Sequence, residues 1–222
     1  MTAELTGATF EDVRIFGNDR TLGQASLTRC TFVGCSLAQS ESVVPGLVVS
    51  DVKASRCTVE TGSALRVRFE NVEIDHLTVK NRPLQLRGCV FSRVKLTGNI
   101  GPILAWAPPP LEDSAENDAA LLDLYASIDW ALDISEASFT EAEFWYVPGD
   151  LVRRDPETQF LLRRERFADV DPAALPNVGR VALAKFETVP FDSMVFVAPT
   201  RSKYVRRYLD GLSDLRKLGL AE

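Results

Sequence analysis

The chain has little of what catalysis and membrane insertion require. Its 222 residues include one histidine, two methionines and four cysteines. No eighteen apolar residues occur together, and the N-terminal "MTAELTGATF" lacks a basic segment followed by an apolar run, so we expect neither a spanning helix nor a signal peptide. With 45% apolar residues, the composition is typical of a soluble globular protein. We therefore expect a cytoplasmic protein without membrane contact.

Sequence motifs of enzymes are also absent. No glycine-rich phosphate loop follows a strand, no nucleophile elbow occurs and no ligand cluster has metal spacing. The single histidine, His76, falls on the outward side of the pattern described next, which favours a surface residue over a general base. Glu141 and Glu143 face the same way on a strand-like segment, but this alone does not make them catalytic. We expect no enzyme, no cofactor and no metal ion, and an enzyme using a groove between the two halves is the last of three hypotheses.

The dominant pattern is a period of five residues. In "ASLTRCTFVGCSL" a large apolar residue recurs at every fifth position and a small one lies two positions earlier: Leu27, Phe32 and Leu37, preceded by Ala25, Cys30 and Cys35. Neither a helix nor an ordinary strand has this period, so a repeat is predicted. The paired positions continue from Leu47 to Val79, shift by two near "NRPLQL" and go on to Leu96. Residues between the pairs, such as Glu73 and Lys95, are predicted to face water.

Over roughly residues 8 to 101 this pattern resembles the pentapeptide-repeat family. The resemblance implies a mainly β fold, a right-handed quadrilateral β-helix with one pentapeptide per side. The large residue of each pair would stack along the helix axis, and the smaller one would turn the corner. Cys30, Cys35, Cys57 and Cys89 all fall at the small position, so we interpret them as buried free thiols rather than metal ligands.

The repeat is interrupted once and then returns. At "AWAPPPLEDSAEND" three prolines end any strand, and Leu121, Leu124, Tyr125 and Ile128 then recur at helical spacing, which predicts a helix over about residues 115 to 130. In "ALDISEASFTEAEFWYV" the inward pairs resume as Leu132/Ile134, Ala137/Phe139 and Ala142/Phe144. We therefore predict a β-helix domain over residues 1–147 with a helical excursion at about 104–131.

Residues 148–222 lack the repeat and predict a small α/β subdomain. "DLVRRDPETQFLLRRERF" predicts two short strands joined at "DPET", and "SMVFVA" predicts a buried strand. Ser202 to Leu218 predicts a helix that Gly219 ends, with one apolar face: Val205, Tyr208, Leu209, Leu212 and Leu215. We expect this subdomain to cap an open end of the β-helix.

Charge is unevenly distributed within a net charge of −6. No lysine or arginine lies between Lys95 and Arg153, where the acidic residues are Glu112, Asp113, Glu116, Asp118, Asp123, Asp129, Asp133, Glu136, Glu141, Glu143 and Asp150. This acidic band is either a solvated face or a surface for a basic partner; its first four members are candidate binding residues.

In "FWYVPGD", Trp145 and Tyr146 either seal a boundary or form a binding hot spot beside Arg153 and Arg154. Acidic residues interleave with the arginines, so we expect no nucleic-acid binding.

These observations favour a non-catalytic protein-binding module of a bacterium. The order of segments is similar to that of proteins in immunity and toxin–antitoxin contexts, which implies a toxin or effector as the partner. The alternative is a DNA mimic that binds gyrase or another topoisomerase, as some pentapeptide-repeat proteins do. Residues 8–101 are slightly basic rather than acidic, and the chain ends in an α/β region instead of a dimerising helix, so the alternative ranks second. The oligomeric state stays open.

Overall fold

The structure is a computed structural model that describes residues 2–39, 45–109 and 114–222, with only the backbone described for 114–117. It is mainly β, with parallel sheets and few helices. The strands are β1 Ala3–Thr6, β2 Thr9–Glu11, β3 Arg14–Phe16, β4 Arg20–Thr28, β5 Thr31–Val33, β6 Ser36–Ala38, β7 Leu47–Glu60, β8 Ser63–Leu65, β9 Val67–Lys80, β10 Leu84–Arg87, β11 Val90–Ile100, β12 Ile103–Trp106, β13 Leu132–Phe139, β14 Ala142–Glu143, β15 Val152–Arg153, β16 Gln159–Arg163 and β17 Ser193–Val197. The helices are α1 Ser114–Ala126, α2 Asn177–Phe186 and α3 Val205–Lys217.

Two parallel sheets contain all strands from β1 to β15, nine in one sheet and six in the other. Along the chain a strand pairs with one that begins about twenty residues later: Ala3 lies opposite Ala25, and Leu47 opposite Val67. From β7 to β15 the chain alternates between the two sheets and returns each time one strand further along. Neither sheet closes on itself.

The backbone follows the predicted period of five. Non-glycine residues adopt positive φ at regular five-residue spacing through the middle of the chain: Asp51, Arg56, Thr61, Arg66, Asn71, His76 and Asn81, all with φ between 53° and 68° except Asn71 at 52°. Residues other than glycine disfavour this conformation because of their Cβ atom. The surrounding hydrogen bonds must therefore hold each turn in place. The chain therefore bends once in every five residues.

Burial confirms the predicted inward positions through much of the repeat. Cys57 and Val67 are almost inaccessible, while in β11 both members of the pair Val94 and Leu96 are buried. The larger members stack between layers, as Phe10 does on Phe32 with ring centroids 5.1 Å apart and nearly parallel planes. A second such pair is Phe69 and Phe91, 5.8 Å apart.

The four cysteines are free, and their placement confirms a packing role. Cys30, Cys57 and Cys89 are buried, and Cys35 is half-buried. Each thiol donates a weak hydrogen bond to a carbonyl of an earlier layer, as Cys89 does to Ala64 at 3.6 Å. Burial raises the pKa of Cys89 to about 12, which keeps it a neutral thiol.

The helical excursion and the return to the sheets are also confirmed. Helix α1 ends at Ala126, four residues before the predicted end, and Leu121, Tyr125 and Ile128 are buried. The Phe91 amide donates to the Tyr125 hydroxyl at 3.4 Å, which anchors α1 on β11. Strand β13 then pairs with β11, and β14 pairs with β12.

The C-terminal segment contains the predicted strands and the predicted C-terminal helix, but the two strands that flank "DPET" do not pair with each other. Strand β15 pairs with β13 of the nine-stranded sheet, whereas β16 pairs antiparallel with β17. The two strands are joined at "DPET" as predicted, and each takes its partner from elsewhere in the chain. Since β15 continues the sheet beyond residue 147, the division at 147/148 stays a prediction.

Helix α3 matches its predicted position, and Gly219 follows it with φ of 74°. Leu212 and Leu215 are buried, but Tyr208 is 48% exposed, so its assignment to the buried face was wrong. Within the described residues no helix combines the length and the apolar composition needed to cross a membrane.

Candidate binding surfaces

Trp145 lies in the contact between the parallel sheets and the C-terminal segment. Its ring stacks on Trp106 with centroids 6.2 Å apart and lies 6.1 Å from the ring of Phe196. The Lys185 ammonium lies 4.1 Å from the Trp145 ring centroid. Trp145 is half-buried, so this geometry supports the sealing interpretation over that of an open hot spot.

Tyr146 is buried in the same contact. Its ring meets Phe191 edge to face at 5.7 Å, and its amide donates to the Ala105 carbonyl at 3.1 Å. Burial raises the pKa of Tyr146 to about 12. Burial likewise raises the pKa of Glu143, whose carboxylate accepts a hydrogen bond from the Trp106 indole. The "FWYVPGD" cluster thus joins two parts of the molecule.

Arg153 and Arg154 have different environments. The Arg153 guanidinium is exposed and lies 4.3 Å from the centroid of the Trp130 ring, a favourable cation–π distance. Arg154 is half-buried and donates to the Gln159 carbonyl at 3.2 Å, and burial lowers its pKa. Of the two, only Arg153 is available to a partner.

The acidic band is only partly described. Glu112 and Asp113 lie outside the described residues, the side chain of Glu116 is not described, and Asp118 is half-buried. Farther along, Glu136 pairs with Lys95 at 3.1 Å and Asp150 with Arg163 at 2.7 Å. The described members whose side chains form no ion pair or hydrogen bond with another described residue are Asp118, Asp123, Asp129 and Glu141. A binding role for the band stays a prediction.

A ladder of alternating charge crosses the nine-stranded sheet. Register places oppositely charged residues side by side on five consecutive strands: Lys53, Glu73, Lys95, Asp133 and Arg153. Lys53 and Glu73 form a salt bridge of 3.1 Å. Exposed pairs of this kind contribute little stability individually, but they leave this face of the sheet close to electrically neutral.

A second polar row runs beside this ladder. The Asp75 carboxylate accepts hydrogen bonds from the hydroxyls of Ser55 at 3.2 Å and Thr97 at 3.1 Å and contacts Nδ1 of His76 at 2.7 Å. These bonds, chiefly that of His76, lower the pKa of Asp75. His76 is exposed, which confirms its predicted surface position. The two rows border a shallow groove of about 340 Å³. Within each row, the charged side chains lie next to groups of opposite charge or next to hydrogen-bond donors.

Helix α3 carries a surface that the sequence interpretation missed. Tyr204 is 54% exposed and Tyr208 is 48% exposed. Four exposed cations surround them in sequence: Arg201, Lys203, Arg206 and Arg207. None of the four forms a salt bridge with another described residue. We call these six residues the α3 patch.

The backbone under the α3 patch is firmly held. The Arg201 amide donates to the Phe139 carbonyl at 2.9 Å, which ties the segment to the end of β13. Ser202 accepts from the Tyr204 amide through its hydroxyl and from the Val205 amide through its carbonyl, both at 3.2 Å. Buried Leu212 and Leu215 hold the helix against the rest of the segment. The patch is therefore a preformed surface.

Within the described residues no group of three or more histidine, cysteine, aspartate or glutamate side chains is arranged to hold a metal ion. Comparison with protein-family models, with curated proteins and with solved structures finds no match for the chain. The function must therefore be argued from the surface itself.

Proposed function

We propose that the protein is a non-catalytic protein-binding module whose stacked strands form a right-handed quadrilateral β-helix of the pentapeptide-repeat type. Two features support this architecture: the parallel pairing at intervals of about twenty residues and the left-handed backbone at every fifth residue. Four sides of five residues account for both. Such a solenoid is a rigid support for a binding surface.

The observation that carries the binding function is the α3 patch. Tyrosine and arginine are enriched at protein interfaces and at their energetic hot spots. Here two exposed tyrosines and four cations without ion pairs lie within eight residues. On the nine-stranded sheet, by contrast, the exposed charges of the ladder lie opposite partners of the other sign. An exposed cluster of two tyrosines and four cations without ion pairs to other described residues thus lies on the C-terminal segment.

An immunity or antitoxin-like role in the bacterial cytoplasm is the context that we propose for this binding. Neutralising a toxin or effector needs a preformed surface and no chemistry, which suits a helix patch fixed to a rigid support. The DNA-mimic alternative requires a rod of like negative charge. The alternating ladder from Lys53 to Arg153 gives that alternative no support. The experiment described next includes an outcome that would favour the DNA mimic.

The test is affinity capture from lysate of the bacterium that carries the gene, followed by mass spectrometry. We would compare the wild type with the variant Tyr204→Ala/Tyr208→Ala. The matched control is Val13→Ala/Phe16→Ala, since Val13 is 40% and Phe16 62% exposed at a site far along the chain. A third variant, Asp123→Lys/Glu141→Lys, probes the acidic band.

We expect one toxin or effector protein that the wild type and the Val13/Phe16 control recover and the tyrosine variant loses. Loss in the Asp123/Glu141 variant alone would transfer the binding function to the acidic band. Recovery of gyrase subunits would favour the DNA mimic. Absence of any specific partner would contradict the binding function.

A further inference from the structure

We propose that the α3 patch binds a short acidic segment of the partner protein in which carboxylates flank a large apolar side chain. This inference rests on the proposed binding function and adds the chemistry of the partner.

The cations of the patch differ from the other arginines of the C-terminal segment. Arg163 pairs with Asp150, and Arg164 donates to the carbonyls of Phe186, Val189 and Phe191 at 2.6 to 2.8 Å. In the patch, Arg201, Arg206 and Arg207 have no carboxylate within salt-bridge distance among the described residues. Four like charges over seven residues repel one another and raise the local positive potential. An acidic partner relieves that repulsion.

The tyrosines supply the apolar part of the interface. Tyr204 immediately precedes α3 and Tyr208 follows four residues later, a spacing that places side chains on the same side of a helix. The Tyr208 amide donates to the Tyr204 carbonyl at 3.3 Å, so the helical geometry already holds between them. A tyrosine offers a rigid apolar ring and a hydroxyl that donates to carboxylates. The pair therefore accommodates one apolar side chain between acidic neighbours.

The basic surface is short. Asp210 is exposed two residues after Tyr208, and Asp214 follows one turn later in a 2.9 Å salt bridge with Lys217. A nucleic-acid strand carries closely spaced phosphates over its whole length, so it would meet these carboxylates as it continued along α3. The net charge of −6 also opposes a long polyanion. A segment of a few acidic residues fits the patch without that repulsion.

Fluorescence anisotropy with a defined probe tests this inference. The probe is a short fluorescein-labelled peptide of alternating glutamate and leucine, titrated with the full-length protein at low salt. A lysine–leucine peptide and an oligothymidine of similar length are the comparison probes. The test variant is Arg206→Glu/Arg207→Glu. The control is Arg56→Glu/Arg82→Glu, which changes the net charge equally at two exposed arginines, one in β7 and one between β9 and β10. Circular dichroism verifies that both variants fold.

We expect saturable binding of the glutamate–leucine peptide, weakened about tenfold or more by the Arg206/Arg207 variant, which corresponds to ~1.4 kcal/mol, and by less than about threefold in the control. Tyr204→Ala/Tyr208→Ala will weaken the binding of this peptide as well. Binding to the wild type will persist in part when salt is added, because salt alone abolishes only a purely electrostatic contact. Equal loss in both charge variants, or tighter binding of oligothymidine, would overturn the inference. If the peptide fails to bind but lysate capture still depends on the tyrosines, the acidic-partner inference is wrong and the binding function stands; if both fail, both are wrong.

Discussion

The two ends of the stacked strands are built from the same repeat but differ in what covers them. At the C-terminal end, Phe139 and Phe144 are almost inaccessible and meet edge to face at 5.7 Å. At the N-terminal end, the inward residues Leu5 and Val13 are 37% and 40% exposed. The pattern of apolar residues is the same at both ends, so the pattern alone does not decide burial.

What differs is the presence of a neighbour. Strands β1, β2 and β3 each pair on one side only among the described residues, and Phe10 stacks on Phe32 on one of its faces. At the other end β17 contacts β14, and Phe196 and Phe191 cover Trp145 and Tyr146. A repeat unit buries its apolar side only when another layer lies against it. We expect the same contrast in stability and in chemical reactivity.

Truncating one inward phenylalanine at each end tests the contrast in burial most directly. Phe144→Ala leaves a cavity in a site with no exposure and is expected to lower the free energy of unfolding by about 3–5 kcal/mol. Phe10→Ala removes a half-buried ring that stacks on Phe32 with one face, and we expect a smaller loss of about 1–2 kcal/mol. Urea unfolding measures both. Equal losses would show that the N-terminal end is covered in solution.

The covering segment itself depends on Arg164. Its guanidinium holds the carbonyls of Phe186, Val189 and Phe191, and hydrogen bonds from a charged donor are stronger than neutral ones. We expect Arg164→Ala to cost about 2–3 kcal/mol and Arg164→Lys to recover only part of it, because lysine lacks the planar fork. Arg29→Ala, an exposed site near the open end, is the control. If the Arg164 variant unfolds at the same urea concentration as wild type, the three hydrogen bonds do not hold this segment.

The reactivity of the cysteines is expected to follow their burial along the chain. Cys35 is half-buried, whereas Cys89 is buried and burial raises its pKa to about 12. Because the thiolate is the reactive form, iodoacetamide is expected to modify Cys35 well before Cys89 in the native protein. Peptide mass spectrometry gives the order of modification, with the unfolded protein as the control. Reaction of Cys89 first would contradict the packing described for β10 and β11.

The smallest expected effect concerns pH and lies midway between the two ends. The bonds of Asp75 lower its pKa, so the carboxylate contributes stability that is present above the unfolded value of about 3.8 and lost as pH falls through the lower folded value. We expect Asp75→Asn to lose less stability than wild type between about pH 5 and pH 2. Ser55→Ala/Thr97→Ala will act in the same direction by a smaller amount, since His76 is the main cause. Parallel curves for wild type and Asp75→Asn would contradict this role.

Local patterns in the sequence predicted much of the fold. The period of five predicted which side of each strand faces inward, because inward and outward positions repeat within a few residues. The helices α1 and α3 followed from apolar spacing, and Gly219 marked the end of α3. The cysteines were predictable for the same reason, since each occupies a position where alanine also serves.

Features that depend on distant pairing were not predictable in this way. Predicting the ladder from Lys53 to Arg153 requires knowledge of the register between strands. The two-residue shift near "NRPLQL" and the insertion of α1 make that register impossible to read from the sequence. Strand β16 pairs with β17 over about thirty intervening residues, and nothing local distinguishes that partner from β15. The α3 patch was visible as "TRSKYVRRY", but Tyr208 was counted in the apolar stripe because helical spacing alone does not show how far a stripe extends.

Helix α1 shows how the architecture accommodates added chain. Val94 pairs with Leu132, 38 positions later, whereas Val72 pairs with Val94 after 22 positions and Asp133 with Arg153 after 20. The extra residues lie between β12 and β13, and β13 still pairs in parallel with β11, with one register shift between Lys95 and Thr97. Lengthening such a loop costs little entropy. The connection between β12 and β13 is therefore a suitable place to graft a foreign loop, a tag or a whole small domain, because the parallel pairing of β13 with β11 already tolerates an inserted helix there.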